Sequence, residues 1–317
     1  MNRHFKKYYF YFLARLFDFL GEHDKSFASY AKVIRFRTFF WDVQNRYIAS
    51  YQKSSKNAYL EIHGGIGDFL QHLPFILNNK SAHYIVVTHF QSAQLFFKVL
   101  GIKIQKYYFY SNKEEYREIQ KHLRQEEMSH ICPRSLFFQK SPFKINDSVK
   151  HNPQKLIGIH MGASAIGSTK AIPANFILKL ITCLLQKRYK IILFGTKEEL
   201  SKIKMPSHKN IMKASYKDVI KNLTLVESCD FLIGSDSAFK TMSAMLKIPT
   251  MVLHHNSPNN FRDRVFIQPY TRLGIMHVYR YTNFNKNEMK TALHSILNTI
   301  SLNVHASYDS KLKKHYF

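Results

Sequence analysis

The strongest constraint on this chain is a pattern that occurs twice: a short apolar strand, a polar or glycine-rich turn, then an amphipathic helix. In the first series "AYLEIH" runs into the turn "GGIGD" and a helix from Asp68 to Leu77. Strand "HYIVVT", helix "QSAQLFFKVLG" and strand "KIQKYYFY" follow. The second series begins near Lys155, where "KLIGIHMGAS" is a strand running into a loop. "PANFILKLITCLLQKRY" is a helix with Pro173 at its start, and the strands "KIILFGT", "NIMKAS", "DFLIGSD" and "PTMVLHH" alternate with further helical segments. Strands joined through helices pair in parallel, so the pattern predicts an α/β protein with open parallel sheets.

Pro133, Pro142 and Pro153, set among polar residues, mark residues 133–154 as a linker between the two series. The expected organisation is a helical N-terminal extension over 1–55 and a Rossmann-like domain over 56–150. A second such domain covers 151–300, and a basic tail runs over 301–317. The two α/β domains are expected to face a cleft.

Charge narrows the partners. Lys and Arg number 47 against 21 Asp and Glu, a formal net charge of +26. Such an excess suits nucleic acid, anionic lipid head groups or phosphorylated substrates. Cys132, Cys183 and Cys229 are too few and too scattered for a disulfide framework, and read as reduced thiols. No apolar run reaches the ~18 residues of a spanning helix. "FKKYYFYFLARLFDFLG" is broken by Arg15 and Asp18 and lacks a cleavage site, so it reads as an amphipathic aromatic helix. It either lies on a membrane surface or caps the fold.

Against this basic background one acid stands at the mouth of the glycine turn. Gly64, Gly65 and Gly67 let backbone approach a ligand, and the helix start after them offers N–H groups to an anion. The turn is neither the dinucleotide fingerprint, since Leu70 holds the third glycine's place, nor a Walker loop. Asp68 is then either a helix N-cap, contributing ~1 kcal/mol, or a chemical group. His72 lies one helical turn later and could orient that carboxylate.

Three further turns share the same logic. "GASAIGSTKAIP" offers Ser164, Thr169 and Lys170 on a loop suited to phosphate oxygens. "LFGTKEEL" places Glu199 just after a strand, where a carboxylate accepts ribose hydroxyls. "IGSDSAFKTMSAMLKIP" sets Asp236, Ser237, Ala238 and Lys240 at a strand–turn–helix junction.

In order and spacing the four turns resemble glycosyltransferase family 9, the bacterial heptosyltransferases and relatives of lipopolysaccharide core synthesis. The resemblance spans roughly residues 58–270 and is most specific at "GGIGDFLQHLP". It implies a GT-B fold and metal-independent, inverting transfer of a sugar from a nucleotide-diphosphate donor, ADP-heptose by family default. Carried over by motif, Asp68 is the general base. Lys170 and Ser164 hold the diphosphate and Glu199 the ribose, while the turn Asp236–Ser237–Ala238 meets the phosphates. Three positions depart from the family pattern: Ala238 stands for glycine, Lys240 for histidine and Ile172 for tryptophan. Lys240 is expected to supply charge directly. The resemblance further implies a phosphorylated glycolipid or glycan acceptor and a cytoplasmic enzyme resting on the inner face of the inner membrane. The readings set beside it are a basic nucleic-acid-binding protein and an inactive transferase-like adaptor.

Overall fold

The computed structural model describes residues 3–35, 46–47, 49–50, 58–62, 65–78, 84–126, 128–131, 155–162, 172–204, 207–215, 219–255, 267–282 and 284–304. The chain divides into two compact units, Met1–Ser135 and Leu136–Phe317.

The first unit opens with two helices, α1 (Arg3–Phe19) and α2 (His23–Arg35), which pack on one another. Gly21 between them has φ +73°, a left-handed conformation that favours glycine. Four parallel strands follow: β1 (Ala58–Ile62), β2 (Tyr84–Thr88), β3 (Ile104–Phe109) and β4 (Ser129–Ile131). Their order is β3-β2-β1-β4. Helices α3 (Ile66–Asn78), α4 (Ala93–Val99) and α5 (Lys113–Gln125) connect them. Helix α3 buries eight consecutive residues, Phe69 to Ile76, so it is enclosed on every side and its sequence is correspondingly apolar all round. Phe69 anchors it among Phe90, Phe96 and Phe97 at centroid distances of 6.1, 4.9 and 5.2 Å.

The second unit holds six parallel strands: β5 (Leu156–His160), β6 (Lys190–Gly195), β7 (Ile211–Ser215), β8 (Phe231–Gly234), β9 (Thr250–His255) and β10 (Met276–Tyr281). Their order, β10-β9-β8-β5-β6-β7, is that of a complete Rossmann sheet, reversing direction between β5 and β8. The helices are α6 (Ala174–Gln186), α7 (Lys197–Ser201), α8 (Val219–Glu227), α9 (Ala238–Met245), α10 (Gln268–Arg272) and α11 (Lys286–Val304). Strands such as "FLIG" are buried throughout because helices cover both faces. Ile157, Ile159, Ile191 and Leu193 face the cluster built with α6 and α11, while the Phe194 ring packs at a tilt on Phe239 of α9, with centroids 4.9 Å apart. Between the layers, Gly158 is a packing requirement. A Cβ there would stand 2.8 Å from Leu232 Cδ1, 2.9 Å from Cys229 Sγ and 3.0 Å from Phe194 Cε2.

Both parallel sheets are as the alternation predicts, and the described part of the N-terminal extension is helical. Several elements escaped the pattern. Helix α5 carries a readable signal: the Asn112 side chain accepts from Glu115 N–H at 2.9 Å, a capping arrangement visible as "SNKEE". Helix α11 was equally legible, with Asn285 Oδ1 accepting from Glu288 N–H at 2.9 Å and Ala292, Ile296 and Ile300 on one buried stripe. Strands β4 and β10 and helix α10 also lay outside the two series. The expected basic tail from residue 301 is corrected in part: α11 continues to Val304, which is buried. Helix α3 begins at Ile66 rather than at Asp68. The linker span, like Cys132, falls outside the described residues, while Cys183 and Cys229 are free thiols.

Gly158→Ala is expected to lower stability by about 1–3 kcal/mol through overpacking. The measurement is the urea midpoint, and an unchanged midpoint would show that the β5–β8 layer has slack it does not display here.

Candidate functional site

In open parallel sheets, ligands bind outside the carboxyl ends of the strands where the strand order reverses. In the second unit that place lies between β5 and β8, and its chemistry can be followed residue by residue. Strand β5 ends at His160, whose carbonyl accepts from Ser235 N–H at 3.2 Å. The Ser235 hydroxyl donates to the Gly162 carbonyl. The two strand ends approach so closely that a Cβ on Gly234 would stand 3.0 Å from the His160 carbonyl oxygen.

After β8 the chain turns through Asp236 and Ser237 into α9. Ser237 occupies the N-cap position, yet its hydroxyl makes no capping bond. It lies 3.0 Å from His160 Nδ1 instead. The His160 ring stacks on Phe239 with centroids 4.5 Å apart and planes 11° from parallel. Burial lowers the pKa of this imidazole from 6.5 to about 3, so the ring is neutral at ordinary pH. The first intrahelical bond of α9 runs from Thr241 N–H to the Ser237 carbonyl, leaving the first-turn N–H groups directed out of the helix end, the arrangement that favours an anion.

Asp236 would oppose such an anion, and Lys240 answers it. The Lys240 ammonium lies 2.6 Å from Asp236 Oδ1, with side-chain exposures of 2% and 13%. The expectation that Lys240 offers its charge directly to a donor is therefore revised: the ammonium is buried, and its charge balances the neighbouring carboxylate. Ala238 is the first helical residue of α9. Ile172 is buried in the core beneath α6.

Glu199 approaches the same strand ends from β6. Thr196 and Glu199 form a reciprocal capping box at the start of α7. Thr196 N–H donates to Glu199 Oε2 at 2.7 Å, and Glu199 N–H to Thr196 Oγ1 at 3.1 Å. The other carboxylate oxygen, Oε1, occupies the space above Gly162, where any Cβ would overlap it. The structure thus brings Glu199 beside the loop leaving β5. That loop returns where Ile172 N–H donates to the Met161 carbonyl at 3.1 Å. Ser164, Thr169 and Lys170 belong to it and lie outside the described residues.

In the first unit the corresponding reversal falls between β1 and β4, and the glycine turn follows β1. Gly64 lies outside the described residues. Gly65 is exposed, and a Cβ there would meet nothing within 4 Å, so the space over the turn is open. Asp68 is half-buried in the first turn of α3, its N–H donating to the Gly65 carbonyl at 3.1 Å. It is the third helical residue, three positions past the N-cap site at Gly65, so the N-cap alternative does not hold. A carboxylate there still favours the helix dipole. His72, one turn on, is fully buried.

A second acid in this unit was not anticipated. Glu61 on β1 is 4% exposed. Its Oε1 accepts from the Tyr116 hydroxyl and from Gln120 Nε2, the latter at 3.1 Å. Burial and this carboxylate push the Tyr116 phenol well above its usual range and Tyr110 to about 12. Only the alternation of "AYLEIH", which places Glu61 among apolar neighbours, hinted at a buried acid. Among the described residues no three His, Cys, Asp or Glu side chains gather as a metal site.

Set against solved structures, the fold has clear counterparts. E. coli ADP-heptose LPS heptosyltransferase II aligns with 78% of this chain and 98% of its own, at 12% identity and a TM-score of 0.52. A family 9 glycosyltransferase of Veillonella parvula aligns over 79% and 97%, at 13% identity and 0.50. A structure described as a UDP-N-acetylglucosamine 2-epimerase of Listeria monocytogenes aligns over 80% and 91%, at 12% identity and 0.51. The chain therefore has the GT-B type of fold, built from two Rossmann-like α/β units. No protein-family profile and no curated protein matches it.

A buried neutral histidine makes stability pH-dependent. The unfolded ring takes a proton near pH 6.5 and the folded ring only near 3, so stability is fully present above about 6.5 and is lost as pH falls towards 3. In His160→Gln the loss of urea midpoint between pH 7 and pH 5 should be smaller than in the native chain. An equal loss would remove His160 from that dependence.

Proposed function

We propose that this protein is a glycosyltransferase that moves a sugar from a nucleoside-diphosphate donor to a hydroxyl acceptor, with inversion and without a metal ion. The observation that carries the proposal is the β5–β8 switch point. There a helix N-terminus, a charge-balanced Asp236 and a Ser237 hydroxyl held by neutral His160 stand at the strand ends, with Glu199 over Gly162; in the sequence, Ser164, Thr169 and Lys170 follow Gly162. This is chemistry for a diphosphate and a ribose. The fold serves both transferases and an epimerase among its neighbours, so the choice of transfer rests on Asp68 and the sequence of its turn.

In this reading the acceptor oxygen attacks the anomeric carbon from the side opposite the phosphate, and Asp68 takes the hydroxyl proton. The bond from the anomeric carbon to the phosphate oxygen breaks, and the nucleoside diphosphate leaves with the electron pair. Its growing negative charge is met by the first turn of α9 and by Lys170. Glu61 is sealed by Tyr116 and Gln120, whereas Asp68 stands half-buried beside open space at Gly65, which makes Asp68 the group suited to proton transfer. Heptose as the sugar, a phosphorylated glycolipid or glycan as acceptor, and work at the inner face of a bacterial inner membrane complete the proposal.

Asp68→Asn should keep donor affinity and lower turnover by about 10²–10⁴-fold, the usual contribution of a general base. Near-native turnover in a transfer assay would remove Asp68 from that role. Lys170→Ala should weaken binding of the nucleoside diphosphate in calorimetry, and unchanged affinity would exclude a phosphate contact. Thermal shifts against ADP-, GDP- and UDP-sugars identify the donor, because a ligand at 100 times its Kd adds about 2.7 kcal/mol of stability.

A further inference from the structure

One face of α1 packs on α2. On that face Ala14 is fully buried and the Tyr11 ring packs against Tyr30 at 6.4 Å. Asp18 is held by α2, its Oδ1 accepting from the Ser26 hydroxyl at 2.6 Å and its Oδ2 from the Tyr30 hydroxyl at 3.0 Å. Phe27, Tyr30 and Val33 of α2 are fully buried. The hairpin is therefore fixed through α2, and the turn of α1 is set.

The opposite face carries Tyr8, Phe12, Leu16 and Phe19, exposed by 59%, 65%, 39% and 87%. Their spacing of four, four and three residues aligns them along one stripe, with Tyr9 and Leu20 beside it. A helix on a water-facing surface does not ordinarily present so many large apolar side chains side by side. Exposed Lys6 and Arg15 border the stripe on its two sides, as 100° per residue requires. Among the described residues no helix is long and apolar enough to cross a membrane; an apolar stripe with basic borders is the pattern of a helix that lies on a bilayer.

We propose that α1 docks the protein on an anionic lipid surface, with Tyr8, Phe12, Leu16 and Phe19 entering the head-group and acyl boundary and Lys6 and Arg15 meeting lipid phosphates. Charge favours lipid over a second copy of the chain. Pairing two such stripes would bring their basic borders together on molecules that each carry a net +26, whereas an anionic bilayer attracts both the borders and the rest of the surface. Lipid docking by α1 deepens the membrane-face part of the function proposed above and does not depend on the transfer chemistry.

The test is co-sedimentation of the full chain with vesicles of phosphatidylcholine alone and with phosphatidylglycerol added. The native chain should bind the anionic vesicles and dissociate at high salt. The double variant Phe12→Ser/Phe19→Ser, with its urea midpoint preserved, should partition at least about tenfold more weakly. In Phe12→Trp, brominated lipids should quench the added emission. Three results would overturn the proposal: no binding of the native chain to anionic vesicles, equal binding of the double variant, or no quenching at position 12. A concentration-dependent dimer in analytical ultracentrifugation that the double variant abolishes would give the face to a second copy and equally overturn it. Donor binding by the double variant, followed in parallel by calorimetry, separates failure here from failure of the transferase proposal.

Discussion

The candidate site depends on how closely two strand ends can come together. Between β5 and β8 the sheet reverses its order, and the backbone at His160 accepts directly from Ser235. Two glycines make that possible: Gly158, whose place between Leu232, Cys229 and Phe194 admits no side chain, and Gly234, set against the His160 carbonyl. With the strands drawn together, the turn after β8 lies beside the loop after β5. Ser235 then reaches Gly162, and Ser237 reaches His160.

That closeness has an electrostatic cost, and the residues around it reduce the cost in three ways. His160 is kept neutral by burial, so it holds the Ser237 hydroxyl without placing a cation in the interior. Asp236, which alone would repel an anion at the end of α9, is balanced by Lys240. Glu199 is committed on one oxygen to capping α7 while the other lies over Gly162. Removing one partner of a buried ion pair costs about 3–5 kcal/mol, so Asp236 and Lys240 are tied to one another as firmly as either is to the site. Lys240 is thus intelligible as a charge-balancing residue.

The first unit separates two acids by environment. Glu61 is enclosed and hydrogen-bonded by Tyr116 and Gln120, and it organises the packing of α5 against β1. Asp68 sits in the first turn of a helix whose next eight residues are buried, with open space over Gly65. A sequence motif drew attention to Asp68, and a pattern of burial distinguishes it from Glu61. On the same unit α1 shows the reverse case, where composition announced an aromatic helix but left open which face it uses.

Local information was enough for the parallel α/β class, both series of elements, and the four turns at strand ends. Hydrophobic period and turn residues are properties of neighbouring positions, so a linear string carries them. Helices α5 and α11 were also written there, in the caps of Asn112 and Asn285. What the string alone left undetermined joins distant positions: His160 with Ser237, Ser235 with Gly162, Glu61 with Tyr116 and Gln120. Those pairs exist because β8 lies beside β5 and α5 packs over β1. Strand order is settled by the packing of whole layers, which no local period encodes. The roles of Lys240 and of the outer face of α1 were decided in the same way, by burial and by its absence.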